Sequence, residues 1–398
     1  MQLLHIIDSL SPARGGPPEA VRQLAKALRA NGVEVEVVCL DHPRAEFLKD
    51  VACPVHALDE SFLGRYALSP RLWRWLRANA GRYDGLVVNG IWSFPGVALH
   101  FAARRAGKPY GVFVHGALDP WFKRKYPLKH IKKLLYWPVQ HSVLRHAAAV
   151  FFTTETERDL AKTSFSPCNW NSVVIPYGIT EAQESRLGPA GQVEEFYRKL
   201  PELRDRRFLL FLGRIHEKKG CDLLIQAFAK VAGAVADVDL VVAGPDQVGL
   251  QAKLKRMAEQ LGGADRVHWP GMIGGDVKWG GLRACDAFIL PSHQENFGVS
   301  VVEALAAGRP VLISNQVNLW PEIKDDGVSI VEDDTLEGTV RLLRRWFDLL
   351  PAERAAMAAR AQACFAARFS MKNTVAAMRG VFEPEISTSR RLEPVGSR

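Results

Sequence analysis

The chain has 398 residues, 47% apolar and 24% charged, with a formal net charge of +9; that length exceeds one ordinary core and predicts two domains. The composition is that of a globular protein, and no run of eighteen apolar residues occurs, which excludes disordered and helix-spanning classes. The excess charge sits in residues 1–180, with 23 Lys and Arg against 14 Asp and Glu, whereas the remainder has 29 of each; a basic half argues for one anionic surface and against nucleic acid.

Leu3-Leu4-His5-Ile6-Ile7 reads as a first strand rather than a signal peptide, lacking a basic leader and a small-residue cleavage site. A loop through Gly15-Gly16 follows, then an amphipathic helix over 20–30 and a second strand over 33–40, which together make a parallel crossover unit. Two glycines before a helix let the backbone approach a ligand where the helix end favours negative charge. They do not form the dinucleotide fingerprint, and such a pair is often just a turn. Residues 85–89 and 109–114 read as further buried strands, the second ending in His115-Gly116-Ala117-Leu118-Asp119-Pro120-Trp121. A residue just past the end of a parallel strand faces the ligand crevice, which singles out His115.

Six cations, Lys123, Arg124, Lys125, Lys129, Lys132 and Lys133, interleave with apolar residues at 128, 131, 134 and 135. This spacing predicts a basic amphipathic helix. It lies either on an anionic membrane surface or with its apolar face on the core. Arg71, Arg74, Arg77 and Arg82, with Trp73 and Trp75, are candidates to extend the same face. Strands over 147–154 and 173–179 close a first domain of residues 1–180, and the polar stretch 181–205 reads as a linker.

The pattern restarts with a strand at 208–212, a loop Gly213-Arg214-Ile215-His216-Glu217-Lys218-Lys219-Gly220 and a helix from Cys221. Arg214 offers a planar fork of donors and Lys219 a mobile point charge, a pair suited to a diphosphate. Asp237-Val238-Asp239 has the spacing of a divalent-metal site but stands where a strand begins, away from the crevice, so no metal is expected. Six widely scattered cysteines show no metal spacing and read as reduced cytosolic thiols.

A strand ending at Pro291 leads through a short polar loop to a helix from about Val301, closed by Gly308. Unpartnered amides of Gly298 to Ser300 suit an anion. Glu295 and Glu303 suit hydroxyls. Anion donors beside hydroxyl acceptors fit a nucleotide sugar. The spacing Glu295 to Glu303, with Asn296-Phe297-Gly298 inside and Ala307-Gly308-Arg309-Pro310-Val311 behind, resembles the retaining glycosyltransferases of family 4. Gly213-Arg214 with Lys218-Lys219-Gly220 strengthens the likeness.

The resemblance implies the GT-B fold, in which two Rossmann-like, doubly wound parallel-sheet α/β domains face a cleft. It implies a second domain of about 206–369 that binds the donor, and a last helix of about 370–385 that crosses back to the first. Residues 386–398 read as a disordered tail. By resemblance, Arg214 and Lys219 hold the diphosphate, Glu303 the ribose and Glu295 the sugar. Gly15, Gly16, Asn296, Phe297, Gly298 and Val299 complete the donor site, and His115 lies beside the donor sugar. Where the family commonly has Pro-Asn-Gly-Val-Asp, this chain has Tyr177 for Asn and Thr180 for Asp, and no role is carried onto either.

The expected activity is metal-independent, retaining transfer from a UDP- or GDP-sugar to a saccharide acceptor, with no cofactor. The His115 segment is similar to bacterial enzymes of exopolysaccharide, O-antigen or lipopolysaccharide synthesis. That implies a lipid-linked acceptor and a peripheral place on the inner face of the cytoplasmic membrane. The rival readings are a nucleotide-sugar 2-epimerase of the same fold and a non-catalytic membrane-surface protein.

Overall fold

The computed structural model describes residues 1–179 and 185–383. The expected tail 386–398 and the first residues of the expected linker lie outside the described residues. The first domain is a seven-stranded, wholly parallel sheet in the order β3-β2-β1-β4-β5-β6-β7. Its strands are β1 (Gln2–Ile7), β2 (Glu34–Cys39), β3 (Val55–Ala57), β4 (Gly85–Asn89), β5 (Tyr110–Phe113), β6 (Ala149–Phe152) and β7 (Ser172–Val174). The helices are α1 (Gly16–Ala30), α2 (Pro70–Asn79), α3 (Phe94–Ala106), α4 (Trp121–Lys125), α5 (Pro127–Arg145) and α6 (Glu155–Ala161). Continuous apolar strands bury both faces: along β4, Leu86 and Val88 enter the core on one side of the sheet and Val87 the separate core on the other.

The second domain is a six-stranded parallel sheet, order β10-β9-β8-β11-β12-β13, around one large core. Its strands are β8 (Arg207–Leu212), β9 (Val238–Ala243), β10 (Val267–Gly271), β11 (Ala287–Leu290), β12 (Val311–Ser314) and β13 (Ser329–Glu332). Its helices are α7 (Pro189–Lys199), α8 (Cys221–Ala232), α9 (Gln251–Gln260), α10 (Gly275–Ala284), α11 (Val299–Ala306), α12 (Trp320–Lys324), α13 (Leu336–Asp348) and α14 (Pro351–Arg368). A last helix, α15 (Met371–Phe382), packs Val375, Met378 and Phe382 into the core of the first domain. In both sheets the strand order reverses beside the first strand of the domain, β1 next to β4 and β8 next to β11. Ligand crevices open outside the carboxyl ends of strands at such a point.

Three expectations need correction. The stretch 181–205 is not simply a linker, because α7 docks on α10 and Phe196 is fully buried there. The approach depends on Gly280, where a Cβ would lie 1.9 Å from the Gln192 carbonyl oxygen. Burying Phe196 contributes roughly 2–3 kcal/mol, which the polar residues around it in the sequence conceal. The strand expected over 173–179 ends at Val174, and Tyr177, Gly178 and Ile179 beyond it line the cleft. The four apolar positions singled out in the first half of α5 do not face the core: Leu128, Ile131, Leu134 and Leu135 are all exposed, Leu135 by 81%, whereas Trp137, Val143 and Leu144 in its second half are buried in it. Among the described residues no helix is long and apolar enough to cross a membrane.

Candidate active site

The loop after β8 and the loop after β11 are tied together by their backbones. The Lys218 carbonyl accepts from the amides of His293 (2.8 Å) and Gln294 (3.3 Å). This brings the Lys219 ammonium into direct contact with the Glu295 carboxylate. Glu295 is itself fixed on both sides, its amide donating to the Gln316 carbonyl (3.0 Å) and its carbonyl accepting from Asn318 (2.9 Å). Arg214 stays exposed, with Nη1 3.3 Å from Gln247 Oε1. Gly298 caps α11 in the left-handed region (φ +81°), so the first amides of that helix have no helical acceptors. One helical turn further, Glu303 pairs with Lys278 at 2.7 Å. Each predicted carboxylate is therefore matched by a lysine, in partly buried surroundings where charge pairs are screened less than on open surface.

The first domain supplies the opposite wall. After β5 the chain turns through His115 (φ +48°) and Gly116 (φ +72°). The turn is held by a carboxylate beneath it. Glu157 Oε1 accepts the Gly116 amide (2.6 Å), and Oε2 accepts the Thr153 amide (2.7 Å) and hydroxyl (2.6 Å). Glu157 is buried, which raises its pKa above the ordinary value against the opposing pull of these hydrogen bonds. The His115 ring stacks on Phe113, with centroids 5.4 Å apart, and its Nδ1 meets the Tyr177 hydroxyl. Burial lowers the His115 pKa to about 3, so the ring is neutral at physiological pH. A phenol is the better donor and an imidazole nitrogen the better acceptor, so the hydroxyl donates to Nδ1 and the ring proton rests on Nε2. Nε2 is buried and has no partner among the described residues.

The two walls meet at Asn296, whose Nδ2 donates to Thr153 Oγ1 (3.1 Å). The fit is close enough that a Cβ on Gly116 would lie 2.8 Å from Asn296 Cγ. Two more contacts join the domains, Gln294 Nε2 to Asp119 Oδ2 (3.1 Å) and the Glu155 amide to Glu322 Oε1 (2.9 Å).

Between the walls lies a cavity of about 340 Å³. Of the residues singled out by sequence, Gly16, His115, Val299 and Glu303 line it; Lys219, Glu295 and Asn296 stand at the adjoining loops, and Arg214 on the exposed loop after β8. Gly15 (φ +92°) forms the turn before α1 without lining the cavity. The Phe297 side chain is core, edge-on to Tyr177 at 5.3 Å and to Phe369 at 6.1 Å, so only its backbone is placed for a ligand. Sequence reasoning missed Asn89, Tyr177, Lys278 and Trp279, all lining the cavity, and Glu157 beneath it. Thr154-x-x-Glu157 reads as a helix cap, and Thr154 does accept the Glu157 amide (2.9 Å); nothing local shows that the carboxylate serves Gly116. Asp237 and Asp239 pair with Arg207 and Arg206 at the start of β9.

A second, more open cleft of about 760 Å³ runs between α4 and the second domain, past Trp121, Arg124, Lys218 and His293. Lys218 Nζ lies 4.1 Å from the Trp121 ring centroid and 3.0 Å from Gln294 Oε1. Burial lowers its pKa to about 8.

Residues 15–178 match the glycosyl transferase 4-like domain and residues 192–363 the glycosyl transferases group 1 family. The chain is 34% identical over 194 residues to a D-inositol 3-phosphate glycosyltransferase of Mycolicibacterium smegmatis, covering 48% of this chain and 43% of that one. It is 28% identical over 214 residues to a 2-deoxystreptamine glucosyltransferase of Streptomyces kanamyceticus, covering 53% and 54%. The match spans about half the length of these curated relatives. Among solved structures, Anabaena HepE in complex with UDP and glucose superposes with a TM-score of 0.75 at 19% identity, over 96% of this chain and 98% of that one. WaaG, a glycosyltransferase involved in lipopolysaccharide biosynthesis, superposes with a TM-score of 0.66 at 17% identity, over 96% and 99%. At those identities the likeness shows the fold, which is GT-B.

Proposed function

We propose that this chain, which belongs to the GT-B glycosyltransferases by both its 4-like half and its group 1 half, moves a hexosyl residue from a nucleoside diphosphate sugar to a saccharide acceptor. The observation that carries this is the meeting of Lys219–Glu295 and Lys278–Glu303 at the carboxyl ends of the second sheet, opposite His115. A diphosphate draws Lys219 from Glu295 and engages Arg214, and the two cations stabilise charge that grows on the leaving group. Glu303 then accepts from ribose hydroxyls and Glu295 from the sugar. The Nε2–H of His115 donates toward the donor sugar. The cations do the work a metal would otherwise do. Attack from the leaving-group face retains configuration, and contact between the domains at Asn296 and Gln294 keeps water from competing with the acceptor. The neighbour HepE binds UDP and glucose, which supports a uridine donor.

The acceptor enters by the wider cleft, where Trp121 offers an aromatic face. Exposed Leu128, Ile131 and Leu135 on a lysine-rich helix support docking on the anionic inner face of the cytoplasmic membrane, and a lipid-linked saccharide of surface polysaccharide synthesis as acceptor. WaaG supports the same direction.

Thermal unfolding with a panel of nucleoside diphosphates and their sugars, without metal, tests the reading. A ligand at a hundred times its dissociation constant adds about 2.7 kcal/mol. One base is expected to raise the midpoint, and Lys219→Ala and Glu303→Ala to abolish the rise. No rise with any nucleotide would remove the reading. For the membrane, co-sedimentation with phosphatidylglycerol vesicles is expected at low salt and is lost in Ile131→Asp/Leu135→Asp; equal binding by that variant would sink the docking surface.

A further inference from the structure

Behind the turn 117–119, away from the donor cavity, lies a small recess of about 60 Å³ lined by Lys123, Lys129, His130 and Lys133 together with Phe122, Tyr126 and Phe165. Lys133 points inward, its Nζ 4.7 Å from the Trp92 ring centroid and 5.4 Å from that of Phe122. Lys129 Nζ lies 4.5 Å from the Tyr126 ring. None of these three lysines has a carboxylate partner among the described residues. Asp119, the one acid lining the recess, is occupied by the Trp121 amide (2.7 Å) and by Gln294 Nε2 (3.1 Å).

This arrangement is unfavourable by itself. Burial and the charge of Lys129 depress the Lys133 pKa to about 8, and burial, Lys123 and Lys133 lower that of His130. Aromatic faces offset only part of this cost. Membrane attraction alone needs outward lysines, as Lys132 is, and does not require Lys133 to turn into the protein.

We propose that Lys123, Lys129 and Lys133 form a binding site for a phosphate group of the acceptor substrate. The site is separate from the diphosphate loop of the donor. It rests on the transfer reading and sharpens it, since it makes the acceptor a phosphate-bearing saccharide. The recess is walled by Ala117 and Asp119, and Trp92 Nε1 donates to the Ala117 carbonyl (3.1 Å), so one turn carries the recess on one side and His115 on the other. A phosphate bound there anchors the acceptor between the exposed face of α5 and the donor sugar.

The test is titration calorimetry with inorganic pyrophosphate. One site is expected to survive in Lys219→Ala, to weaken about tenfold or more in Lys133→Gln, as loss of a charge-assisted contact predicts, and to be unchanged in Lys132→Gln. Lys129→Gln repeats the measurement should Lys133→Gln not fold. Two further arms identify the source of the phosphate. Preference for vesicles containing a polyprenyl diphosphate over phosphatidylglycerol vesicles of equal charge, lost in Lys133→Gln, assigns a lipid-linked acceptor. Displacement of pyrophosphate by glucose 1-phosphate without that preference assigns a soluble phosphosugar. Equal weakening by Lys132→Gln and Lys133→Gln, or no pyrophosphate site in Lys219→Ala, overturns the proposal in favour of diffuse surface charge. Nucleotide stabilisation without this site would overturn only the site, whereas pyrophosphate binding without nucleotide stabilisation would overturn the transfer reading and, with it, the assignment of the bound phosphate to an acceptor.

Discussion

Glu157→Ala leaves three donors without an acceptor: the amides of Gly116 and Thr153 and the Thr153 hydroxyl. The hydroxyl can rotate toward Asn296, but the two amides are fixed. Each buried amide left unpaired costs about 1–3 kcal/mol, or about 2–6 kcal/mol for both. Removing a desolvated carboxylate returns part of this, so the expected net loss is about 2–4 kcal/mol. Glu157→Gln keeps the shape and one acceptor oxygen, and is expected to lose about half as much. The loss also reaches the site. His115 and Gly116 both sit at positive φ, and the Glu157 carboxylate is what the Gly116 amide bonds to. A looser turn misplaces His115, and a misplacement of about 1 Å costs on the order of a hundredfold in rate. The pH dependence has a definite sign. The folded-state pKa of Glu157 is raised above the ordinary 4.5, so its contribution is fully present below that value and is lost as pH rises through the folded pKa. Glu157→Gln cannot ionise and lacks that loss, so its stability deficit is expected to narrow as pH rises from about 4.5. Urea unfolding of the three proteins across pH, with turnover on the identified donor, measures both effects. An alanine variant with unchanged midpoint and unchanged turnover would refute the role given to this carboxylate.

Tyr177→Phe removes the partner of His115 Nδ1 and is expected to lower kcat/KM about tenfold; nitrogen-15 shifts of His115 should change from one tautomer to a mixture, and an unchanged spectrum would refute the assignment. Because burial holds His115 neutral down to about pH 3, no ionisation of this ring is expected in the activity profile from about pH 5 to 8, and a His115-dependent limb there would contradict it. Phe196→Ala is expected to cost about 3–5 kcal/mol by chemical denaturation, since Phe196 fills the joint between α7 and α10; a surface-like change below about 0.5 kcal/mol would restore the linker reading. Gly116→Ala forces a Cβ against Asn296 at a positive φ and is expected to lower both the melting point and kcat/KM, with nucleotide affinity nearly unchanged.

Much of this molecule was legible in its sequence. Wherever a strand is an unbroken apolar run, as at Phe208–Leu212 or Ala287–Leu290, burial on both faces needs no knowledge of the partner. The loop after β8 and the helix opening at Val299 follow from Gly-bracketed cations and a helix N-terminus, which are local properties. Helix α7 was not legible, because its buried aromatic matters only against the glycines of α10. Residues such as Lys278, Tyr177 and Glu157 carry no local sign of function, since each acts on a group at least 25 positions away.

Two parallel-sheet domains, their strand-end loops and the chemistry those loops offer follow from the order of residues alone, because hydrophobic period, turn residues and charge act over a few positions. That Glu295 and Glu303 are each matched by a lysine, that Tyr177 orients His115, and that Leu128, Ile131, Leu134 and Leu135 of α5 face outward while Lys133 turns in, is visible only once the chain is folded. Those are outcomes of packing between elements far apart in the chain, where burial and partner are set together.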